Sequence, residues 1–374
     1  MMMNCTCNRI FLASVLLAIV VVSIVGCDTN RPSEGSRKAG EHIKNTVVAV
    51  AETDPVPQDK NEDSADDPAI WIDTTDVTNS FIIGTDKKGG LATYDLNGKL
   101  LNYYADGNMN NCDLRYGFPL GDKQVDVLAA SNRSSHSIAL YTVHKGGVLK
   151  AVDARVIKAE MQDDVYGLGM YKSPKTGKYY VFLNSKAGEV EQWELLAKED
   201  KIDAKLVRAF NLETQTEGVI ADDAFGLVYI GEEIAGIHKF NAEPDAPTTG
   251  VLIPFSSEEN ENIRYDIEGL AIYATDSVNG YLVASSQGNY SFAVFERQGE
   301  NKYLGSFRIT EGDFDGVEET DGIEISNVPL GANFPKGMLV VQDGYNYDGE
   351  QLVSQNFKYI SWADIEKFFL TKTD

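Results

Sequence analysis

Short apolar segments with alternating polar positions run through most of the chain and follow one repeating order. In each copy an acidic residue opens an apolar strand, a polar turn closes the next strand, and a further strand ends on a large apolar side chain. The clearest copy opens with Asp66 and Asp67 and has its polar turn at residues 84–90. In the strand that follows the polar turn, the large apolar side chains are Tyr94, Tyr141, Trp193, Phe240, Phe295 and Ile360. Copies roughly fifty residues apart, with Gly-rich turns, are typical of β-propeller blades. Six copies predict an all-β fold, a six-bladed β-propeller with four-stranded antiparallel blades around a central channel.

The repeat also predicts that acidic side chains gather on one face. A hairpin returns the chain to its origin, so strand starts and the polar turns lie at the same end of each blade. The strand starts and turns together contribute Asp66, Asp67, Asp113, Asp164, Glu217, Asp266, Glu268, Asp321, Glu232, Glu233, Gln287 and Asp343. Singly, each is more often a solvated turn residue. Gathered near one axis, they would repel each other unless cations lay among them. Such oxygen ligands suit Ca²⁺.

Two further groups of charged residues have open interpretations. The stretch 313–322 is rich in Asp and Glu, which fits either a metal-binding loop or a mobile acidic surface loop. Lys87, Lys88, Arg133 and Lys186 lie in the polar turns. Each alone would more often be a solvated charge or a salt bridge. Together with metal ions, they would form a site for a highly charged anion such as a phosphate ester.

The N-terminus differs from the rest of the chain. Residues 1–26 hold an apolar run that ends at Gly26-Cys27, which resembles the junction of a bacterial lipoprotein signal peptide. An uncleaved signal anchor is the alternative. We expect residues 27–45 to be a flexible tether after a lipidated Cys27, and residues 46–374 to be the propeller domain. The protein would then be exported and held at a membrane by its lipid alone, facing the periplasm or the cell surface. The net charge of −24 argues against a nucleic-acid partner, and we expect a monomer.

The repeat motifs resemble those of the bacterial β-propeller, or alkaline, phytases. The resemblance runs from about residue 66 to 362 and rests on residues 66–71, 84–91, 110–116, 215–218, 266–270, 284–289 and 320–323. It implies a six-bladed propeller that binds several Ca²⁺ ions. It also implies removal of phosphate from phytate (myo-inositol hexakisphosphate) and lower inositol phosphates, by attack of a metal-bridging water without a phosphoenzyme.

The resemblance also implies roles for individual residues. The implied calcium ligands are Asp67, Tyr166, Glu217, Glu233, Asp266, Glu268, Gln287 and Asp315. The implied phosphate contacts are Lys87, Lys88, Arg133 and Lys186, of which Lys87, Arg133 and Lys186 would act in catalysis together with Glu217. Two other functions stay open: a lipid-anchored propeller that uses calcium as a brace and binds a partner without chemistry, and a calcium propeller that cleaves lactones or organophosphate esters. A neutral ester would not need the four cations.

Overall fold

The computed structural model describes residues 33–57 and 63–369. The predicted signal peptide, Cys27 and the start of the predicted tether lie outside the described residues. Within the described ranges, every helix is too short or too polar to cross a bilayer.

The described strands fall into six sheets of similar build and one small hairpin. Before the first blade come α1 (Glu34–Gly40), β1 (Thr46–Val47) and β2 (Ala51–Glu52). Blades 1 to 3 consist of β3 (Ala65–Trp71), β4 (Phe81–Asp86), β5 (Gly90–Asp95) and β6 (Leu100–Tyr104); β7 (Met109–Leu120), β8 (Lys123–Asn132), β9 (Ser137–His144), β10 (Val148–Ala151) and β11 (Ile157–Lys158); and β12 (Val165–Lys172), β13 (Tyr179–Ser185), β14 (Glu189–Lys198) and β15 (Lys201–Asn211).

Blades 4 to 6 complete the described chain. They consist of β16 (Thr216–Asp222), β17 (Leu227–Glu232), β18 (Gly236–Asn241) and β19 (Val251–Leu252); β20 (Ile267–Ala274), β21 (Gly280–Ser286), β22 (Ser291–Glu296) and β23 (Tyr303–Ile309); and β24 (Ile323–Ser326), β25 (Met338–Asp343), β28 (Asn356–Ser361) and the N-terminal β2. The hairpin β26 (Tyr347–Asp348) and β27 (Gln351–Leu352) lies between β25 and β28, and α2 (Trp362–Glu366) follows β28. Two 3₁₀ turns span Val77–Asn79 and Gln287–Asn289.

The innermost strands close a ring. In chain order β3, β7, β12, β16, β20 and β24 each contact the next, and β24 contacts β3. The six large side chains that mark the repeat all lie on the third strand of their blade, and each is at most 3% exposed. The described residues therefore form a six-bladed β-propeller, and the predicted fold class is confirmed.

Six apolar clusters hold the blades together, one at each boundary between neighbouring blades. At the boundary of blades 5 and 6, Trp362 stacks on Tyr273 with ring centroids 4.1 Å apart. Each fully buried large apolar side chain contributes about 2 kcal/mol to stability. The core is thus divided among the blade interfaces, which fixes the position of each inner strand.

The segment before the first blade packs on the propeller. Contrary to the expectation of a flexible tether, residues 34–40 form α1, and the Ser33 side chain caps it by accepting a hydrogen bond from the Ser36 N–H at 3.3 Å. Further along, β1 pairs in parallel with β23, and β2 pairs with β28 as the outer strand of blade 6. The first strand begins at Thr46, where the propeller domain is predicted to start, and α1 lies before it.

Candidate active site

A β-bulge at the start of the inner strand aims side chains into the channel mouth. Blades 1 to 5 each show this register shift in the first strand pair, and a bulge re-aims the side chains beside it. In blades 3 to 5 the bulge carries a predicted site residue followed by glycine: Tyr166-Gly167, Glu217-Gly218 and Glu268-Gly269. Asp321-Gly322 stands at the same place before β24, where the Gly322 N–H donates to the Asp66 carbonyl at 2.9 Å.

The glycines allow the inner strands to lie against one another. A Cβ on Gly218 would overlap the Glu268 carbonyl oxygen of the next blade. The Gly269 N–H in turn donates to the Asp321 carbonyl at 2.6 Å. Each of these predicted site residues therefore lies directly against the backbone of the following blade at the channel mouth.

Three buried glutamates converge on this circle, and we call Glu217, Glu233 and Glu268 the glutamate cluster. One carboxylate oxygen from each lies within 4.8 Å of the others. Among the described residues, Glu233 Oε1 and Glu268 Oε2 have no hydrogen-bond partner. Asn110 Nδ2 donates to Glu217 Oε1 at 2.7 Å and to Asp66 Oδ2 at 2.9 Å. Unpartnered buried carboxylate oxygens this close together fit a divalent cation with hard oxygen ligands.

The electrostatics of the glutamate cluster agree with this fit. Burial raises the pKa of Glu217 to about 7, and the charge of Asp321 adds to the effect. Burial likewise raises the pKa of Glu233 to about 7. The pKa of Glu268 lies well above its usual range because of burial and of the neighbouring Glu217. The cluster therefore favours either bound protons or a bound cation over three bare charges.

Lys87 lies within the acidic residues rather than in solvent. Its ammonium nitrogen is 2.6 Å from Asp321 Oδ2, 2.8 Å from Asp66 Oδ1 and 2.8 Å from Asp63 Oδ1. Burial alone would lower the pKa of Lys87, but the carboxylates of Asp321 and Asp66 outweigh it and raise that pKa well above its usual range. Gln287 Nε2 donates to Asp321 Oδ1 at 2.7 Å. Asp321 thus links blades 1, 5 and 6 at the channel mouth.

Two more of the predicted cations meet at Tyr166. The Lys186 ammonium lies 4.5 Å from the centroid of the Tyr166 ring, and the Arg133 guanidinium lies 5.7 Å from it. Arg133 Nη1 also donates to Asn110 Oδ1 at 3.2 Å, so one amide connects Arg133 with Glu217. Lys88 is exposed, and its backbone N–H donates to Asp86 Oδ1 at 2.9 Å.

Asp67 belongs to a deeper layer of the channel. Its Oδ2 accepts a hydrogen bond from the Cys112 N–H at 3.0 Å. Together with Asp113 and Glu324, it lines a cavity of about 10 Å³ on the channel axis, which is space for about one water molecule. Burial, with the nearby charge of Asp113, raises the pKa of Glu324 to about 8.

The structure brings most of the predicted site residues together. Around the channel mouth lie Tyr166, Glu217, Glu233, Glu268, Gln287, Lys87, Arg133 and Lys186, as the contacts above show. Asp266 is half-buried beside them, and its carbonyl accepts from the Gln287 N–H at 2.9 Å. Asp67 lies one layer below.

Asp315 is not brought to the glutamate cluster. Its carboxylate forms an ion pair with the buried Lys358, and its Oδ2 accepts from the Tyr347 N–H at 2.8 Å. Asp321, which the repeat places on the acidic face, lies at the channel mouth beside Lys87 and Gln287. The residue-plus-glycine pattern of blades 3 to 5 was the signal that identifies Asp321, since glycine follows it directly as well. Asn110 was not predicted, and a lone amide in a strand gives little sign of such a role.

Comparison with known proteins agrees with these features. A family profile described as Phytase matches residues 12–374. The 3-phytase of Bacillus subtilis (strain 168) is 44% identical over 330 residues, which cover 87% of this chain and 85% of the relative.

Two solved structures align with this chain at much lower identity. A crystal structure of BBS1N in complex with ARL6DN aligns at 10% identity with a TM-score of 0.46, covering 82% of this chain and 79% of that chain. The β-propeller domain of Cps50 (Swd1) from Myceliophteria thermophila aligns at 12% identity with a TM-score of 0.44, covering 78% and 82%. On the family profile and the Bacillus relative, which span most of the sequence, this chain belongs to the phytase family.

Proposed function

We propose that the protein is a calcium-dependent phosphomonoester hydrolase that removes phosphate from phytate. The observation that carries the proposal is the glutamate cluster, whose three carboxylates lie within 4.8 Å beside Lys87, Arg133 and Lys186. Acidic groups alone would repel a polyphosphorylated substrate. Carboxylates that hold cations, with basic side chains around them, make a site that attracts it. The family relationship supports the same substrate.

The residues present fit calcium, and several ions are expected. The glutamate cluster would hold one, with Asp321, Gln287, Asp266, Tyr166 and Asp67 as further oxygen donors around it. Bound Ca²⁺ would supply a water molecule of lowered pKa for attack on phosphorus, together with positive charge for the transition state. Arg133 presents a planar fork of donors to phosphate oxygens, and Lys186 presents a point charge. Asn110 fixes the orientation of Arg133 relative to Glu217 through its two hydrogen bonds.

A covalent phosphoenzyme on cysteine is not supported by the site. Cys112 is fully buried, and burial raises the pKa of its thiol well above the usual range. A buried neutral thiol is a poor nucleophile. Direct attack by water therefore remains the mechanism that the described side chains favour.

The test is phosphate release from phytate at controlled free Ca²⁺. The parent protein should release phosphate with calcium and lose this activity in excess chelator. Glu217→Gln should abolish turnover at saturating phytate, whereas Asp200→Asn, in the exposed turn between β14 and β15, should match the parent. A parent protein that binds Ca²⁺ yet releases no phosphate would support the non-catalytic binding module instead. Faster turnover of a lactone than of phytate would support the neutral-ester alternative.

We also propose that the protein is exported and anchored by a lipid on Cys27. The support is the sequence at residues 24–27 and the apolar run before it. Several acyl chains on one cysteine would hold a protein stably at a membrane. Labelling cells with a radioactive fatty acid should mark the parent protein and not Cys27→Ala. An unlabelled parent protein would contradict the anchor.

A further inference from the structure

Helix α1 contacts both of the segments that deliver Gln287 and Asp321 to the site. The Ser33 N–H at its start donates to the Tyr290 hydroxyl at 2.8 Å, and that hydroxyl donates to Glu319 Oε1 at 2.8 Å. Tyr290 directly follows the 3₁₀ turn that contains Gln287, and Glu319 lies two residues before Asp321. One hydroxyl group thus joins the helix, the turn and the acidic loop at residues 311–321.

Arg37, at the half-exposed surface of α1, contacts the same loop through a bidentate ion pair. Its guanidinium binds Glu318 in a two-pronged arrangement: Nε donates to Oε1, and Nη2 donates to Oε2 at 2.8 Å. The backbone of Glu318 is itself held by blade 6, because its carbonyl accepts from the Gly344 N–H at 2.9 Å. A fork-to-fork pair fixes direction as well as distance. Arg37 therefore orients the loop just ahead of Asp321.

The C-terminal end of α1 lies directly on the 3₁₀ turn. A Cβ on Gly40 would overlap the Asn289 carbonyl oxygen and come within 3.3 Å of the Arg308 side chain. Gly40 is buried for this reason. The helix is consequently held at both ends, by Tyr290 at its start and by Asn289 at its end.

The acidic loop needs such support because its own charges repel. It carries Glu311, Asp313, Asp315, Glu318, Glu319 and Asp321 in eleven consecutive positions. Lys358 pairs with Asp315, and Lys87 pairs with Asp321. Arg37 pairs with Glu318 between them and comes from outside the blades. Glu318 precedes Asp321 by three positions, a span of at most about 11 Å, so the short backbone link couples the two positions.

We propose that Arg37 is a positioning residue, which acts through Glu318 to hold Asp321, and the Gln287 amide bonded to it, in place for calcium. The inference rests on the proposed function, since it assigns calcium to the site. A helix that served only as a brace would contribute to stability and leave the affinity for calcium unchanged. A positioning role instead changes that affinity, because residues behind the ligands typically alter it by about 10- to 100-fold.

The experiment compares three variants of the full chain: Arg37→Ala, Arg37→Lys and Lys38→Ala. Lys38 is the matched control, because it is exposed on the same helix and pairs only locally with Glu34. Calcium affinity is measured by titration calorimetry, and hydrogen exchange of residues 311–322 is followed in chelator. Arg37→Ala should bind the most weakly held Ca²⁺ ion about tenfold less tightly than the parent does. The backbone amide hydrogens of this loop should also exchange faster in the variant. Arg37→Lys should recover part of the loss, and Lys38→Ala should match the parent.

Activity provides the separate readout for the proposed function. Arg37→Ala should need more free Ca²⁺ for half-maximal phosphate release and approach the parent kcat once calcium is saturating. Calcium affinity and loop exchange equal to those of the parent would overturn the positioning role, even if the melting temperature fell. If the parent binds Ca²⁺ but hydrolyses no phytate, the proposed function fails, while affinity and exchange still decide the role of Arg37.

Discussion

Replacing Lys87 with alanine tests the electrostatic logic of the whole site. Lys87 is 7% exposed, and its ammonium group lies within 2.8 Å of oxygens from Asp63, Asp66 and Asp321. Lys87→Ala removes the positive charge and leaves Asp66 buried with no ion-pair partner among those contacts. The variant should therefore be less stable than the parent in the absence of calcium.

The size of the effect follows from the burial of the pair. Removing one partner of a buried ion pair costs about 3–5 kcal/mol. In a domain of more than 300 residues each kcal/mol shifts the melting temperature by about 2 °C, so the loss in chelator should be roughly 6 °C or more. Calcium should reduce this difference, because Lys87 competes with cations for the same carboxylates. Phosphate release should also fall, because Lys87 holds Asp66 and Asp321 in place at the channel mouth.

The assay is calorimetric melting with chelator and with calcium, together with phosphate release at fixed free calcium. Lys178→Ala is the control, since Lys178 pairs with Glu194 at the surface and such pairs contribute at most about 1 kcal/mol. Calcium affinity of Lys87→Ala should equal or exceed that of the parent. A variant that melts with the parent in chelator would refute the stabilising role of Lys87, and one that hydrolyses phytate as fast would refute its role in turnover.

Three further outcomes test other parts of the structure. Excess chelator should lower the melting temperature of the parent clearly, because the glutamate cluster then repels itself; an unchanged calorimetric transition would rule out a structural role for calcium. Burial and the charge of Asp113 raise the pKa of Glu324 from 4.5 to about 8, so between these pH values the folded protein holds a proton that the unfolded chain releases. The free energy of unfolding should therefore fall by up to about 1.4 kcal/mol per pH unit as the pH rises towards 8. Denaturant titrations in chelator should show this decrease, and a smaller decrease per pH unit in Glu324→Gln. Equal slopes would contradict that assignment. Gly218→Ala should lower the melting temperature and impair turnover, because the new Cβ would clash with the Glu268 carbonyl. The control Gly35→Ala, in α1, should be neutral or slightly stabilising. A fully active, equally stable Gly218→Ala protein would show that the close contact between the two inner strands is not required.

The fold could be predicted from the sequence because each blade of a propeller repeats the same pattern of apolar and polar positions. Each blade buries a large side chain on its third strand, and the hairpin geometry then places strand starts and polar turns at the same end. Those two facts predict the face on which the glutamate cluster lies. They do not predict which oxygens converge, because that depends on the bulges and on the contact of Gly218 with the next blade.

The position of Asp315 away from the glutamate cluster has a physical cause. In an acidic loop, sequence alone does not show which carboxylate has a cation supplied from elsewhere, and Lys358 is more than forty positions downstream of Asp315. The same applies to Lys87. A lysine in a turn is expected to be solvent-exposed, and the sequence does not show that three carboxylates surround this one. The segment that forms helix α1 was expected to be flexible because its composition is polar. Its contacts with the propeller are made by Arg37, Gly40 and the N-cap, which give no apolar pattern in the sequence.

The pairing of β2 with β28 has a consequence for how the protein is made. The Phe357 N–H donates to the Thr53 hydroxyl at 3.0 Å across 304 positions of sequence, so β2 can pair only after nearly the whole chain has been synthesised. Until β28 is made, blade 6 is incomplete, and the unpaired backbone edge of β2 can pair with other chains. Contacts this distant in sequence slow folding. Premature termination anywhere before residue 356 would leave an open, aggregation-prone ring, and cells that produce the protein should depend on chaperones or proteases to remove such fragments.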